Sequence, residues 1–276
     1  MLNNLNQTTA FLFRMKLYRV FLLAALFLLG SVSIAGTEST FEDTQKGFER
    51  VRDAYDRKEE LFFMKCRTKD IPETFGNMYI RVFKMEGIME LWVQKNPGGQ
   101  YVKFNEYKVY ALSGTLGPKR QQGDAQVPEG FYSINEFNPV SNYHLSLGVN
   151  YPNESDMKLS TASRKGGDIF IHGGAASAGC LAMSNYYIED IYIAAVKARS
   201  QGQTNIPVHI FPFKMTDANM NYWTRVVQFK DCVKLWKNLQ QGYSFFETNN
   251  RLPEVSVDAS GYYKFYDPAK AQASAR

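Results

Sequence analysis

Residues Asp168 to Met183 read DIFIHGGAASAGCLAM, and the interpretation of the whole chain begins from this stretch. His172 closes a short apolar run that is typical of a strand, and Cys180 follows eight residues later. The loop between them is built almost wholly of Gly, Ala and Ser. A cysteine nucleophile needs a base beside it to take the thiol proton. A base fixed at a strand end, with a small-residue loop that lets the chain turn back, predicts such a pair.

The residues around Cys180 suit the same chemistry. Gly179 removes side-chain bulk beside the sulfur, and backbone N–H groups around Gly179 and Cys180 are candidates for an oxyanion hole. Ser177 either hydrogen-bonds near the thiol or stabilises the turn of the loop. A helix expected to start near Ser184 would lower the pKa of a thiol on its axis. The spacing alone leaves an inert pair open as well, because free cysteines are among the most buried residues.

Strand-like segments lie on both sides of this stretch. Alternating apolar and polar residues predict strands over 78–84, 90–94, 101–104 and 107–112, with a turn at Gly98-Gly99. Further strands are expected over 131–134, 143–149, 168–172 and 206–213. The centre of the chain is therefore interpreted as mixed α/β, mostly β, with helices before and after it.

Three amphipathic helices are predicted around the strands. The first begins with a capping box formed by Ser39 and Glu42 and continues to about residue 66. The second begins near Ser184 and presents one apolar face, made of Ile188, Ile191, Tyr192 and Ala195. The third is long, is capped by Asp217, and carries on one side Phe229, Cys232, Val233, Trp236 and Leu239.

Residues 1–35 have the pattern of an export segment. Three basic residues precede an eleven-residue apolar run, VFLLAALFLLG at 20–30, and small residues stand at positions 33 and 35. The run is shorter than the about 20 apolar residues that span a membrane as a helix. A cleaved signal peptide and an uncleaved N-terminal membrane anchor both fit. In either case the body of the protein leaves the cytoplasm.

Composition excludes several classes of protein. The chain has 276 residues, of which 45% are apolar and 21% charged, so it is neither disordered nor fibrous. The net charge is +5. Three of the basic residues lie in the export segment, so the rest of the chain has a net charge of +2. A nearly neutral body with no basic stripe predicts no nucleic-acid partner.

The remaining cysteines and histidines have two interpretations each. Export to an oxidising compartment makes a disulfide between Cys66 and Cys232 plausible, and independent burial as free thiols is the alternative. His144 is a candidate for substrate binding or oxyanion contact, with a structural role as its alternative, and His209 is expected to be structural. The spacing of the histidines shows no compact ligand pair, so no metal is expected.

The stretch from His172 to Leu181 resembles the active-site motif of the L,D-transpeptidase (YkuD-like) catalytic domain family. That motif is a His-Gly pair, a variable loop, and Ser/Thr-x-Gly-Cys followed by an apolar residue. Residues 127–134 (VPEGFYSI) are similar to the family's T-P-x-G-x-Y-x-I stretch, and residues 110–123 to the strand and loop before it. Within the family, the chain resembles most the YafK-like branch of murein L,D-transpeptidases. The features that carry this resemblance are the short interval between His172 and Cys180 and the segments YHLSL (143–147), NYPN (150–153) and VHIFPF (208–213).

The resemblance suggests a division of the chain into five parts. Residues 1–35 are the signal peptide or anchor, and 36–74 an N-terminal helical region. Residues 75–215 form the catalytic domain, expected to be a β-sandwich-like domain with its site in a groove between strands. Residues 216–267 are a C-terminal helix and extension packed on that domain, and 268–276 a disordered tail.

The resemblance also implies a mechanism. Cys180 would be the nucleophile, His172 the base and later the acid, and the carbonyl of Gly173 would hold the imidazole. The thiolate would attack the carbonyl at the L-centre of diaminopimelate in a peptidoglycan stem peptide and form a thioester. An amine would then take the acyl group and give a cross-link or an attached protein. No cofactor is implied, and the expected location is the periplasm or cell envelope.

Two departures from the family pattern leave the acyl acceptor open. Many members have Arg two residues after the cysteine, where this chain has Ala182, and the interval between His172 and Cys180 is short. The alternatives are a hydrolase that releases a murein-attached envelope protein and a non-catalytic module that binds murein.

Overall fold

A computed structural model of the protein describes residues 39–270. Its strands are β1 (Met78–Phe83), β2 (Ile88–Gln94), β3 (Tyr101–Lys108), β4 (Gly130–Asn138), β5 (Ser146–Val149), β6 (Ile169–His172), β7 (Leu181–Ala182), β8 (Pro207–Phe211), β9 (Glu254–Val257) and β10 (Tyr263–Tyr266). Its helices are α1 (Phe41–Lys46), α2 (Glu49–Thr68), α3 (Glu154–Leu159), α4 (Ser184–Ser200), α5 (Asp217–Trp223) and α6 (Val233–Asn249), with a 3₁₀ helix over Val227–Cys232.

Eight strands form one sheet in the order β3-β2-β1-β8-β4-β5-β6-β7, and β9 and β10 form a separate hairpin. The predicted mixed α/β class is confirmed, with a single large sheet as its β part. Most neighbours are antiparallel, but β1 pairs with β8 and β6 pairs with β7 in parallel. A parallel pair needs a connection that crosses back, and the Gly/Ala/Ser loop between β6 and β7 supplies a short one.

Helices α2 and α4 cover one face of the sheet and build the main core. Alternation along each strand sends every second side chain to this face, as Val208 and Ile210 of β8 show. In α4 nearly every side chain from Ile188 to Ala198 is buried, so this helix lies inside the protein rather than on its surface.

The other face of the sheet is covered by α6 and the β9–β10 hairpin. Phe211 of β8 packs there in a second core with Trp236 and Leu239 of α6 and Tyr263 of β10. The hairpin was not expected from the sequence. Its strands are short and largely exposed, so their apolar alternation is weak.

The first predicted helix is wrong in its start and its continuity. Thr40, not Ser39, is the cap: its side chain accepts from the Asp43 backbone, and the Asp43 carboxylate accepts from the Thr40 N–H. The helix also breaks at Gly47, after which Phe48 is extended. Glycine is a poor helix former, and the break turns α1 away from the axis of α2.

The last predicted helix is also interrupted. Thr216 caps α5, and α6 begins only at Val233. Trp223 and Trp236 flank Phe229, at ring distances of 6.0 Å and 5.4 Å. On one continuous helix Trp223 would point about 120° away from Phe229. The break lets all three rings enter the second core.

Two further expectations are corrected in the strands. Residues 101–104 and 107–112 were expected to be separate strands, but β3 is one strand whose register shifts at a bulge opposite Leu91 and Trp92. His144 was placed in a strand, but it lies in a turn with φ 71° before β5.

The predicted export segment, residues 1–35, lies outside the described residues. Of the predicted frayed tail, residues 271–276 also lie outside them, and residues 268–270 form a helical turn. Among residues 39–270, every helix is too short or too polar to cross a membrane.

Candidate active site

The pairing of β6 with β7 places His172 and Cys180 on one face of the sheet. His172 is level with Ala182 and Ile171 with Leu181, so Cys180, one residue before β7, is level with Phe170. Side chains alternate along a strand, and paired residues of parallel strands point the same way. Cys180 and His172 therefore share a face and are offset by about 7 Å along the strand direction.

The His172 ring is held in one orientation. Its Nδ1 hydrogen-bonds to the backbone carbonyl of Gly173, which is an acceptor only, so Nδ1 carries the proton and Nε2 has a free lone pair. The ring of Tyr143 lies 4.7 Å from the imidazole, centroid to centroid, and His172 is buried. Burial lowers the pKa of His172, although the bond to Gly173 opposes that shift. The ring is thus a neutral base near pH 7.

The Cys180 sulfur rests against the backbone of β6. It accepts from the Phe170 N–H and donates to the Asp168 carbonyl, both at 3.4 Å. Among residues 39–270, no hydrogen bond joins the sulfur to His172, so the two groups are not yet in contact. The side chain is half-buried, which leaves one side open to a substrate.

The expected lowering of the Cys180 pKa by helix α4 is wrong. Burial raises the pKa of this thiol, and the Phe170 N–H lowers it by a smaller amount. The sulfur bonds to Phe170 of β6 and to Asp168, the residue before this strand. The resting site therefore holds a neutral thiol and a neutral imidazole.

Ser113, which no sequence pattern distinguishes, organises the loop before Cys180. Ser113 Oγ accepts from the Gly179 N–H at 2.6 Å and donates to the Ala125 carbonyl at 2.8 Å. Ser177 Oγ donates to the Cys180 carbonyl at 2.7 Å, so Ser177 fixes the backbone of Cys180 and does not contact the thiol.

These contacts change the oxyanion-hole expectation. The Gly179 N–H already donates to Ser113, so the N–H of Cys180 remains the candidate donor. Gly179 also has φ 110°, and a side chain there would approach the Gln126 carbonyl to 3.1 Å. Glycine is required at this position by the backbone conformation as well as by space.

Gly173 sits where no side chain fits. A Cβ atom on it would lie 2.6 Å from the Tyr143 carbonyl and 2.7 Å from the Asn185 side chain. The tight packing holds the Gly173 carbonyl in place against His172.

The other two histidines are directed away from Cys180. His144 Nε2 lies 2.8 Å from Glu189 of α4, and Arg57 of α2 donates to the same carboxylate at 2.7 Å. His209 lies on β8, three strands from β6, between the rings of Tyr79 and Phe131. Burial and the charge of Arg81 lower the pKa of His209 to about 3, so it stays neutral. Both positions favour the structural interpretation.

The predicted disulfide is wrong. All three cysteines are described and all are free thiols. Cys66 is buried in the main core, whereas Cys232 packs against the second core near Gly117. The helices that carry them pack on opposite faces of the sheet. In the described part of the chain, no three His, Cys, Asp or Glu side chains are grouped to hold a metal ion.

The segment that builds this site matches known proteins. The sequence profile of the YkuD family, the L,D-transpeptidase catalytic domain, matches residues 78–210. A protein named "Putative L,D-transpeptidase YafK" from Escherichia coli K12 is 39% identical over 193 residues, which are 69% of this chain and 74% of that protein. The chain belongs to the L,D-transpeptidase family. The protein of the same name from Escherichia coli O157:H7 matches equally.

Solved structures similar to this chain include the helical cell shape determining protein Pgp2 from Campylobacter jejuni. It has 18% sequence identity and a TM-score of 0.39, over 67% of this chain and 74% of that one. Bd1075 of Bdellovibrio bacteriovorus has 18% identity and a TM-score of 0.36, over 68% and 76%. Membership of the family supports an enzyme that modifies peptidoglycan.

The position two residues after the cysteine lies inside the sheet of this family member. Ala182 is buried in β7, and its carbonyl accepts from the Tyr110 and Ala111 N–H groups. No cationic side chain therefore projects from this position toward Cys180.

Proposed function

We propose that the protein is an exported, cysteine-dependent L,D-transpeptidase that acts on peptidoglycan stem peptides. The observation that carries the proposal is the shared sheet face of Cys180 and His172, with the imidazole fixed by Gly173, inside the segment that matches the family. A thiol, a neutral base and an orienting acceptor are the parts that nucleophilic acyl transfer needs.

The first half-reaction forms a thioester. The Cys180 thiol gives its proton to Nε2 of His172, and the sulfur attacks the carbonyl at the L-centre of diaminopimelate. The Cys180 N–H is the candidate donor to the oxyanion of the tetrahedral intermediate. The imidazolium then protonates the departing amine, and the acyl group stays on the sulfur.

The second half-reaction regenerates the thiol. An acceptor amine gives a proton to His172 and attacks the thioester, and the imidazolium returns the proton to the sulfur as it leaves. The product is a cross-link or an attached protein. With water as the acceptor the same steps give hydrolysis, and the lack of a cation at Ala182 favours keeping this second candidate.

The proposal places the enzyme in the periplasm, either free or held by its N-terminal segment. Its partners there are the stem peptide and, for the hydrolase, a murein-attached envelope protein. Residues 1–35 carry this part of the proposal through their export pattern.

The test is product analysis on two substrates, plain peptidoglycan and peptidoglycan with covalently attached protein. The full chain and Cys180→Ala are incubated with each, with Cys66→Ala as a control that removes a different thiol. New L,D cross-links that need Cys180 support the transpeptidase, and released protein with an intact stem supports the hydrolase. Unchanged substrates that still bind the protein would overturn both and favour a binding module.

A further inference from the structure

The turn that precedes β5 is held from outside the sheet by α2. Arg50 of α2 donates through one terminal nitrogen to the carbonyls of Ser141 and His144, at 2.6 Å and 2.5 Å. These contacts join segments more than 90 residues apart. Arg50 lies outside the matched residues 78–210, in a helix that the family comparison does not cover.

The turn contacts both groups that fix the His172 ring. Tyr143, at its centre, has its ring 4.7 Å from the imidazole, centroid to centroid and tilted by 40°, while about half of the Tyr143 surface stays exposed. Gly173 packs directly against the Tyr143 carbonyl and the His144 side chain. The Gly173 carbonyl in turn holds Nδ1 of His172. A displacement of the turn would therefore move the imidazole in two ways, through the Tyr143 ring and through the Gly173 carbonyl.

The conformation of the turn needs external support. His144 has φ 71°, a left-handed conformation that strains a residue with a side chain. Arg50 binds the carbonyl of His144, and Glu189 binds its ring, with Arg57 as the second partner of Glu189. Two arginines of α2 thus secure the strained residue next to Tyr143.

We propose that Arg50 is a positioning residue for the Cys180–His172 pair, because it holds the turn that keeps Tyr143 over the imidazole and Gly173 against Nδ1. The inference rests on the proposed function for its kinetic consequence, but not for its effect on His172.

Loss of this contact changes the environment of His172 in a known direction. The Tyr143 ring and the Gly173 carbonyl both contact the His172 ring, and neither group is charged. The Arg57–Glu189–His144 group lies behind Gly173, and Asp168 lies beside Cys180. Burial lowers the pKa of His172 more than the Gly173 bond raises it, so the loss of both effects together raises the pKa toward the ordinary value. More imidazolium then forms near neutral pH, and less base is present.

The test compares Arg50→Ala with Arg67→Ala. Arg67 lies on the same helix but pairs with Glu60 and Glu73 on the surface, so it is a matched control. The first measurement is the NMR titration of the histidines in the full chain. There are three histidines, so His144→Ala and His209→Ala identify the signals. His209, buried three strands from the site, serves as an internal reference.

For Arg50→Ala we expect the His172 titration to move upward while His209 stays unchanged. We expect kcat to fall about ten- to hundredfold with KM nearly constant, because the catalytic pair is displaced but the substrate groove is not. Arg50→Lys, which keeps the charge and can reach one carbonyl, should recover part of the loss. Arg67→Ala should change neither quantity.

An unchanged His172 titration in folded Arg50→Ala would overturn the inference, whatever the turnover. If Arg50→Ala does not fold, Tyr143→Ala replaces it, since an exposed side chain can be removed with little effect on stability. Tyr143→Ala should reproduce the upward shift, and an unchanged titration there would equally overturn the inference. The NMR measurement needs no substrate, so it separates failure of this inference from failure of the proposed function.

Discussion

At the scale of single residues, the site consists of a neutral thiol, Cys180, and a neutral imidazole, His172. Burial raises the pKa of Cys180 and lowers that of His172, and both shifts favour thiol and imidazole over thiolate and imidazolium. The ion pair that many cysteine enzymes hold at rest is therefore not the ground state here. In the proposed mechanism the thiol must contact Nε2 before its proton can move.

This neutral resting state predicts a steep pH dependence of alkylation. Below its pKa a thiol gains about tenfold in thiolate for each pH unit, so the reaction of Cys180 with iodoacetamide should rise continuously from pH 6 to 8. Peptide mass spectrometry reports each cysteine separately. Cys66 and Cys232 are internal controls, because burial raises the pKa of each to about 11. A rate for Cys180 that is flat between pH 6 and 8 would show a preformed ion pair and contradict the account.

The residues that the sequence could predict are those joined by short stretches of chain. His172, Gly173 and Cys180 lie within one motif, and the pairing of β6 with β7 follows from it. Ser113 and Arg50 could not be predicted, because they reach the site across 66 and more than 90 residues. Nothing local distinguishes such a serine or arginine from others on the surface.

At the scale of elements, the loop that carries Ser113 is fastened by a buried ion pair. Lys84, just after β1, donates to Glu129 at 2.9 Å and to the carbonyls of Gly117 and Val127. Glu129 also accepts from the Gly117 N–H and from Trp236. One carboxylate thus connects β1, the loop and α6, and a buried charge of this kind is stable only while its partner is present.

Glu129→Gln should therefore be strongly destabilising. It leaves the Lys84 ammonium buried without a counter-charge, for which we expect a loss of about 3–5 kcal/mol in the free energy of unfolding by urea. Asp70→Asn removes the carboxylate of a surface pair with Lys95 and should leave the urea midpoint unchanged. Equal effects of the two substitutions would contradict the role of the buried pair.

Elements were predicted well where one physical pattern decides them. Alternation located β1, β2 and β4, although both faces of these strands are largely buried. Helices α1 and α2 were predicted as one helix, and so were α5 and α6, because Gly47 and the second core interrupt patterns that look continuous in sequence. The break between α5 and α6 depends on the packing of the Trp223, Phe229 and Trp236 rings, which no local sequence pattern indicates.

At the scale of the whole molecule, the matched domain is completed by segments on both sides of it. Helix α2 supplies Arg50 to the site, and α6 closes the opposite face of the sheet. Trp236 is fully buried there and donates to Glu129 at 2.8 Å. The described residues 39–270 are therefore expected to unfold as one unit.

Trp236→Ala should destabilise the entire protein. We expect a loss of about 3–5 kcal/mol, seen as a single shifted transition by circular dichroism. Tyr222→Ala, on the exposed side of α5, is the control and should change little. A separate early transition for the C-terminal part, with the sheet unaffected, would mean that α6 is an independent attachment.

The proposed function requires a thioester at Cys180, and hydroxylamine can trap this thioester whether the natural acceptor is an amine or water. The full chain is incubated with peptidoglycan and hydroxylamine, and the muropeptides are read by mass spectrometry for a hydroxamate at the L-centre of diaminopimelate. We predict a hydroxamate with the wild type and a fall of about a thousandfold or more with Cys180→Ala. No hydroxamate from the wild type, or equal amounts from both proteins, would contradict the central claim.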